Sequence, residues 1–583
     1  LFITQASFSQ REFDFESDTI GQDSILTDSL ASLDIFESDT TPLVFYFESH
    51  SGITDSFDRY ELLKDEHHYD ELRRGLIPYA NLGFRGSPVQ SLIYLAPQSV
   101  GLQSGLNAYS CYNLTADGIP FYKIRNAYTH LEFSQGNSQV DTYARAVFAG
   151  KFKPGIKLSF ELKRTRGIGE YENQISLNTL VALGTEFTSK NKRYQNYIKF
   201  VSNIYGNRDF GGIEDVNLLY GDILFRSEID VFLTDAKSRY QDQLVQMTNY
   251  YRLGFIRPFH RIEYQKQYYK IFDTSPNLEY YQDLVNHNQD LRSYLSISSL
   301  ENTFGIRFQG DSTLNLLEGA IHYRINNIFQ EPSESKKDEF FISGNLYGTA
   351  FKNYSLRAKG IFHFGQFAGD HNIEGEITGK IANRFELKAG AQSILSSAPL
   401  AYNRYLVSHQ EIWNHTFDPI YHFILHGSAS YKDQVILGVR QYLLGNYIYF
   451  GSDGLPEQEN EAKVVAQLYA DILLKWRFLH TRNRIYLQRL PDEISLPALY
   501  SEHDLYFEKG LFTSLLSLRT GFSARNIISY QLPGYIPLIG QFTNNGEQNW
   551  SPTWMLDYFV HFRVESFAAT FRLENLNYLF QNI

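Results

Sequence analysis

Nowhere among these 583 residues is there an apolar run of about 20, the length a helix needs to cross a bilayer, so helical spans are excluded. The mean hydropathy is only −0.33. A single cysteine, Cys111, rules out an intrachain disulfide and leaves a Cys-x-x-Cys metal site without its second ligand. Three motifs are missing: the Gly-x-Ser-x-Gly elbow, His-Glu-x-x-His, and the phosphate-cradling Gly-x-x-x-x-Gly-Lys-Ser/Thr. The expectation is therefore a protein that is not an enzyme and takes no cofactor and no metal. The net charge of −12 and the lack of a clustered basic stripe argue against a nucleic-acid partner.

A two-residue beat is present in place of these features. Ile156, Leu158, Phe160 and Leu162 alternate with Lys157, Ser159, Glu161 and Lys163. The pattern recurs with Leu317, Ile321, Tyr323 and Ile325 against Glu318, His322, Arg324 and Asn326, and with Leu356, Ala358 and Phe362 against Arg357, Lys359 and His363. Ile373, Ile377 and Ile381 alternate with Glu374, Glu376 and Lys380, and Val464, Leu468, Leu474 and Trp476 with Lys463, Gln467, Asp471, Lys475 and Arg477. Successive side chains of a strand point to opposite faces, so such a strand separates an oily phase from a wet one. Forty-two Tyr and 45 Phe would supply interfacial girdles. The pattern predicts an all-β chain, a transmembrane antiparallel up-and-down β-barrel of about 16–18 strands. Its lumen would be lined by Lys157, Glu161, Lys163, Glu318, His322, Arg324, Arg357, Lys359, Glu374, Glu376, Lys380, Asp471, Lys475 and Arg477, a mildly cationic set.

Charge is distributed unevenly along the chain. Between residues 11 and 60, twelve acidic side chains face only Arg11 and Arg59, a balance of −10 out of the chain's −12. Residues 1–10 read as the remnant of an apolar export signal. Residues 11–125 read as an acidic N-terminal extension and link, either a solvated periplasmic segment or a plug drawn into the lumen by opposite charge, and residues 126–583 as the barrel. Within the barrel, short links such as Lys153-Pro154-Gly155 and Ala382-Asn383-Arg384 alternate with long ones such as 206–242, 273–290, 330–337 and 397–418. Short turns at one end and long loops at the other are the plan of outer-membrane barrels. His67-His68 beside Asp65 and Glu66 reads as a polar turn.

Several short motifs are spaced along the chain: Gly86-Ser87-Pro88 with Gln90, Leu92 and Ile93; Gly167, Gly169, Tyr171, Asn173 and Gln174; and Asn191-Lys192-Arg193-Tyr194. Gly211-Gly212-Ile213, Tyr251-Arg252-Leu253-Gly254, His409 with Trp413-Asn414, and Arg572-Leu573-Glu574-Asn575 continue the series in order. Taken in this order the motifs resemble one family, the putative porins of Bacteroidota, over about residues 80 to 580. The resemblance implies an outer-membrane location, contact with outer-membrane lipid, and passive diffusion of small hydrophilic solutes. The alternative is a non-conducting barrel serving as the structural or docking subunit of a larger outer-membrane complex, and homo-oligomerisation stays open beside it. Asp18-Thr19-Ile20, Asp23-Ser24-Ile25 and Asp28-Ser29-Leu30 resemble the O-glycosylation triplet of the same phylum.

Overall fold

The computed structural model describes residues 3–6, 43–48, 55–57, 71–75 and 77–577, apart from single positions and short stretches at 125, 137, 139, 216, 219–224, 282–283, 286–289, 310–315, 352, 383, 433, 513–514, 545–548 and 551–553. The three glycosylation-like triplets and His67-His68 lie outside the described residues.

One 22-stranded sheet forms the body. It begins with a short strand β1 (Ile3–Ala6) and continues with β2 (Tyr128–Gln135), β3 (Thr142–Lys153), β4 (Ile156–Ile168), β5 (Ile175–Thr188), β6 (Tyr194–Arg208) and β7 (Lys237–Tyr251). Then come β8 (Ile256–Asp273), β9 (Leu291–Gln309), β10 (Leu316–Gln330), β11 (Ser333–Phe351), β12 (Tyr354–Phe364), β13 (His371–Ile381) and β14 (Phe385–Ser396). The remainder are β15 (Ile420–Tyr431), β16 (Val435–Gly445), β17 (Lys463–Trp476), β18 (Leu479–Arg489), β19 (Leu499–Leu511), β20 (Leu516–Ile528), β21 (Met555–Val564) and β22 (Phe567–Leu573).

From β2 to β22 each strand pairs antiparallel with the next. An odd run of up-and-down strands leaves its first and last members parallel, and they cannot share an antiparallel ladder. β1 lies between them, antiparallel to both, Ile3 opposite Thr570 on one side and Ser134 on the other. The ladder of pairings thereby closes into a ring, and closure removes the exposed edges that an open sheet would carry.

The beat sets the faces. Ile321, Ile373, Leu468, Leu474 and Trp476 are exposed outward, together with Leu177, Ile198, Val245, Leu300 and Leu437 from other strands, an apolar exterior suited to lipid. The opposite face is polar and mostly buried, with Asn178, Lys199, Asn203, Glu301, Arg307, Gln467 and Gln488 among its members. At one end the connections are short, such as 154–155 and 565–566, and at the other they are long, such as 209–236, 397–419 and 529–554. Small two-stranded sheets, Arg404–Val407 with Gln410–Asn414 and Tyr447–Phe450 with Pro456–Glu459, fold within the long loops.

The 22 strands exceed the expected 16–18; one of the additional strands is β1, whose place is set by pairing with β2 and β22 and not by any alternation of its own. Strands also run farther than the beat, which disappears where both faces are exposed. Ser333-Glu334-Ser335-Lys336-Lys337 falls within the expected link 330–337, yet it opens β11, paired with β10 from Gln330 to Asn326. Arg477 likewise differs from its expected place on the wall: it sits in the turn after β17 with a left-handed backbone (φ 53°).

Candidate functional site: a segment threaded through the ring

Residues 43–48, 71–75 and 77–124 lie inside the ring, since they bind the polar face of strands on every side of it. Near the β4–β6 arc, Gly86 adopts φ +77° and its carbonyl accepts from Asn178 Nδ2 at 2.7 Å. Leu114 is clamped twice by Asn203, whose Oδ1 accepts from the Leu114 N–H at 3.0 Å while its Nδ2 donates to the Leu114 carbonyl at 2.9 Å. On the β11–β13 arc, Gly101 N–H donates to Asp370 (3.1 Å) and Leu102 N–H to Glu339 (3.2 Å). On the β15–β18 arc, Tyr94 hydrogen-bonds His422 (2.9 Å), its N–H donates to Gln488 (2.8 Å), and its carbonyl accepts from Gln467 (2.9 Å). Arg73 completes the circuit at Glu574 (2.8 Å) and Asp557 (3.6 Å). Only a segment enclosed by the wall can reach all of these strands.

Charge fixes both ends of the segment. Glu48 is fully buried, its carboxylate 2.5 Å from Lys199 Nζ and 3.5 Å from Arg261, with the Tyr250 hydroxyl donating to it at 3.1 Å. Arg307 donates to the Glu48 carbonyl at 3.0 Å and pairs with Glu318 at 2.5 Å. Burial alone would raise the Glu48 pKa, but the charges of Lys199 and Arg261 prevail and hold it at about 2. Tyr46 donates to Glu186, which also pairs with Lys157 at 3.1 Å. Arg74 grips Glu132, with Nη1 at 3.0 Å, and Glu132 raises the Arg74 pKa against the opposing pull of burial. Apolar packing adds to this: Leu106, Tyr109 and Tyr112 join Tyr205, Tyr240, Tyr269, Tyr405 and Trp413 in one buried cluster. Tyr109 stacks on Tyr205 with ring centroids 4.6 Å apart.

The expected lumen residues fall into two groups. Lys157, Glu161, Glu318, His322 and Arg324 face inward and are engaged in ion pairs or hydrogen bonds with the segment or its supporting wall: Lys157 with Tyr46 (2.7 Å), Glu161 with Arg145 (2.7 Å), His322 and Arg324 with Glu301 (2.9 and 2.6 Å). Lys163 occupies the same inward register on β4. Arg357, Lys380, Asp471 and Lys475 lie toward the short-turn end of β12, β13 and β17, with Lys359, Glu376 and Glu374 from mid-strand upward on the same arc. There the wall is wet: the Lys359 side chain is 50% exposed and that of Lys380 65%, and their pairs with Glu374 (2.8 Å) and Glu386 (3.6 Å) sit in water. Asp471 is bound by Arg482 at 2.9 Å. Among the described residues, the inside thus has a charged, solvent-exposed stretch of wall on the β12–β14 arc, a closing layer around Tyr94 to Leu102, and a second space above that layer.

This second space is a cavity of about 590 Å³ at the long-loop end, floored by the inner segment and walled by Tyr402, Tyr447–Phe450, Glu493–Leu496 and Gly540–Asn544. The sequence reading missed it, along with Glu48, Lys199 and the Tyr94 contacts. Alternation identifies a wall, whereas these residues matter through partners hundreds of positions away. Glu48 did stand within the acidic run between residues 11 and 60, the one available signal. The ordered motifs also gain a physical meaning. A Cβ on Gly86 would lie 2.6 Å from Asn178 Nδ2, and one on Gly167 would strike the Arg85 carbonyl, so both glycines let the inner segment press against β4 and β5. Asn173 reaches the Leu233 carbonyl (3.1 Å), and Trp413 donates to Ala401 (3.1 Å) within the central cluster.

A family model described as "Putative porin" matches residues 53–583. No curated protein matches the chain. Solved structures with a similar fold include a mutant of the ferric enterobactin receptor PfeA from Pseudomonas aeruginosa, at TM-score 0.56 and 11% identity over 77% of this chain and 74% of that one. The FrpB iron transporter from Neisseria meningitidis aligns at TM-score 0.51 and 9% identity over 75% and 74% of the two chains. The siderophore receptor PirA from Acinetobacter baumannii aligns at TM-score 0.50 and 12% identity over 82% and 84%. At such identities the likeness concerns the fold.

Proposed function

The chain belongs to the putative-porin family of outer-membrane barrels, and from that premise we propose that it is a self-plugged conduit for small hydrophilic solutes, gated by its own N-terminal segment. One observation carries the reading: the segment is tied to opposite arcs of the wall by Asn178, Asn203, Glu339, Gln488 and the Glu48 ion cluster. Free diffusion through a wide lumen needs that segment to leave or rearrange. The exposed lysines and glutamates of the β12–β14 arc offer hydrated solutes a polar path once the closing layer opens. Transport here involves binding and displacement without covalent turnover. The short turns face the periplasm and the long loops face outward, as in other barrels of this plan.

Planar-bilayer recording tests the proposal. The intact chain should be closed or nearly so, and combining Glu48→Gln with Gln488→Leu should produce discrete openings. Steady, large conductance from the intact chain would restore ungated diffusion. Silence of every released variant, together with stoichiometric co-purification of another membrane protein, would favour the docking-subunit reading instead.

A further inference from the structure

The cavity at the long-loop end differs from the rest of the interior in its chemistry. Tyr94, Tyr402, Tyr447, Tyr449 and Phe450 line it, together with the amide residues Gln90, Gln98, Gln103, Asn107 and Asn544, of which Gln98, Gln103 and Asn544 also hydrogen-bond within the protein. Among the described residues, Glu493 is the single charged lining residue, and that carboxylate is already paired with Lys463 at 2.8 Å. Among the described residues, lysine, arginine and histidine contribute nothing to the lining. Gln90 Oε1 is buried with no hydrogen-bond partner, and Asn107 is exposed at the rim. Tyr447 and Tyr449 stack with an interplanar angle of 12°, which makes a continuous aromatic platform.

We infer that this cavity binds a neutral, polyhydroxylated ligand, a short oligosaccharide. A sugar ring has C–H faces and a rim of hydroxyls. Aromatic rings accept the faces through apolar contact, and an amide, which both donates and accepts, matches hydroxyls that do the same. An anionic ligand would enter a cavity without a free cation, and a cationic one would find only a carboxylate already neutralised; burying either charge unpaired is costly. The volume lies within the range of small-molecule sites. The ligand thus differs in charge class from an anionic iron chelate, although the barrel fold is shared with iron-transporting receptors. The inference rests on the gated-conduit reading, because bound sugar would sit on the outer side of the closing layer at Tyr94.

The test is isothermal titration of the full-length protein in detergent with neutral glucan, xylan, mannan and galactan trisaccharides, beside a galacturonate trimer and a glucosamine trimer. At least one neutral trisaccharide should bind saturably, and both charged trimers should bind at least about tenfold more weakly. Tyr447→Ala should weaken the neutral ligand about tenfold or more, and Asn107→Ala, at an exposed position, several-fold. The inference is overturned if no neutral trisaccharide binds, if a charged trimer binds as tightly, or if both variants leave the affinity unchanged. Because titration requires no transport, a protein that binds sugar yet never opens in a bilayer would refute the gate alone, and one that opens without binding sugar would refute only this inference.

Discussion

Replacing Glu48 by Gln removes the buried carboxylate that faces both Lys199 and Arg261 from the inner segment, and leaves Lys199, 1% exposed, without its 2.5 Å partner and with only the largely exposed Asp117 at 4.0 Å. Two routes give the cost. Lowering the Glu48 carboxyl from its ordinary 4.5 to about 2 corresponds to about 3 kcal/mol of preference for the docked, charged form. Breaking a buried pair by removing one partner costs about 3–5 kcal/mol in general. A loss of about 3 kcal/mol raises the undocked population of residues 43–48 about a hundredfold. The assay is hydrogen exchange at Val44 to Phe47, whose strand pairs with 55–57 and 121–122, supported by protease access to the same stretch. Exchange there should accelerate by about two orders of magnitude while β8 and β9 stay protected. The double variant Glu48→Gln with Lys199→Met should recover part of the loss, since it no longer buries an unpaired ammonium. Unchanged exchange in Glu48→Gln, or a double variant worse than the sum of the singles, would refute the latch.

The same carboxylate predicts a pH response. Its folded pKa lies below the unfolded value, so its contribution is complete above about pH 4.5 and is lost as the pH falls toward about 2; protease access at residues 43–48 should rise across that interval and no higher. Gln488→Leu strips partners from the Leu92 and Pro497 carbonyls and from the Tyr94 N–H. Thermal denaturation should show a loss of about 2–4 kcal/mol, and faster exchange should appear at residues 92–96. Gly86→Ala forces a Cβ into Asn178 at φ +77°, with an expected cost of about 1–3 kcal/mol, read as protease access to residues 80–90 in a barrel that remains folded. Ile321→Arg, on the lipid face at 54% exposure, should lower unfolding stability in lipid vesicles by about 2–4 kcal/mol if Ile321 lies near the midplane, with docking of the inner segment unaffected.

The wall was legible because its physics is local. Each of Ile373, Ile377 and Ile381 needs only its own strand geometry to face outward, and Glu374, Glu376 and Lys380 follow by parity. Parity holds only where oil lies on one side. It faded at Ser333–Lys337, where β11 is exposed on both faces, and near Arg477, where a turn had already begun. The acidic N-terminal segment was legible as charge, though its destination was left between periplasm and lumen. Glu48 against Lys199, Arg261 and Arg307 joins positions 151 to 259 residues apart, and no window of sequence contains such a constellation.

By itself, then, the sequence determined the alternation, the apolar exterior and the mixed charge of the inner face, because a strand's two-residue period assigns faces wherever its surroundings are asymmetric. Only the tertiary structure decided how many strands close the ring, that the inner segment threads it, and that a cavity rich in tyrosine and amide groups lies above the closing layer. Those features depend on ring closure and on pairs distant along the chain, and such partners are selected by the enclosed geometry.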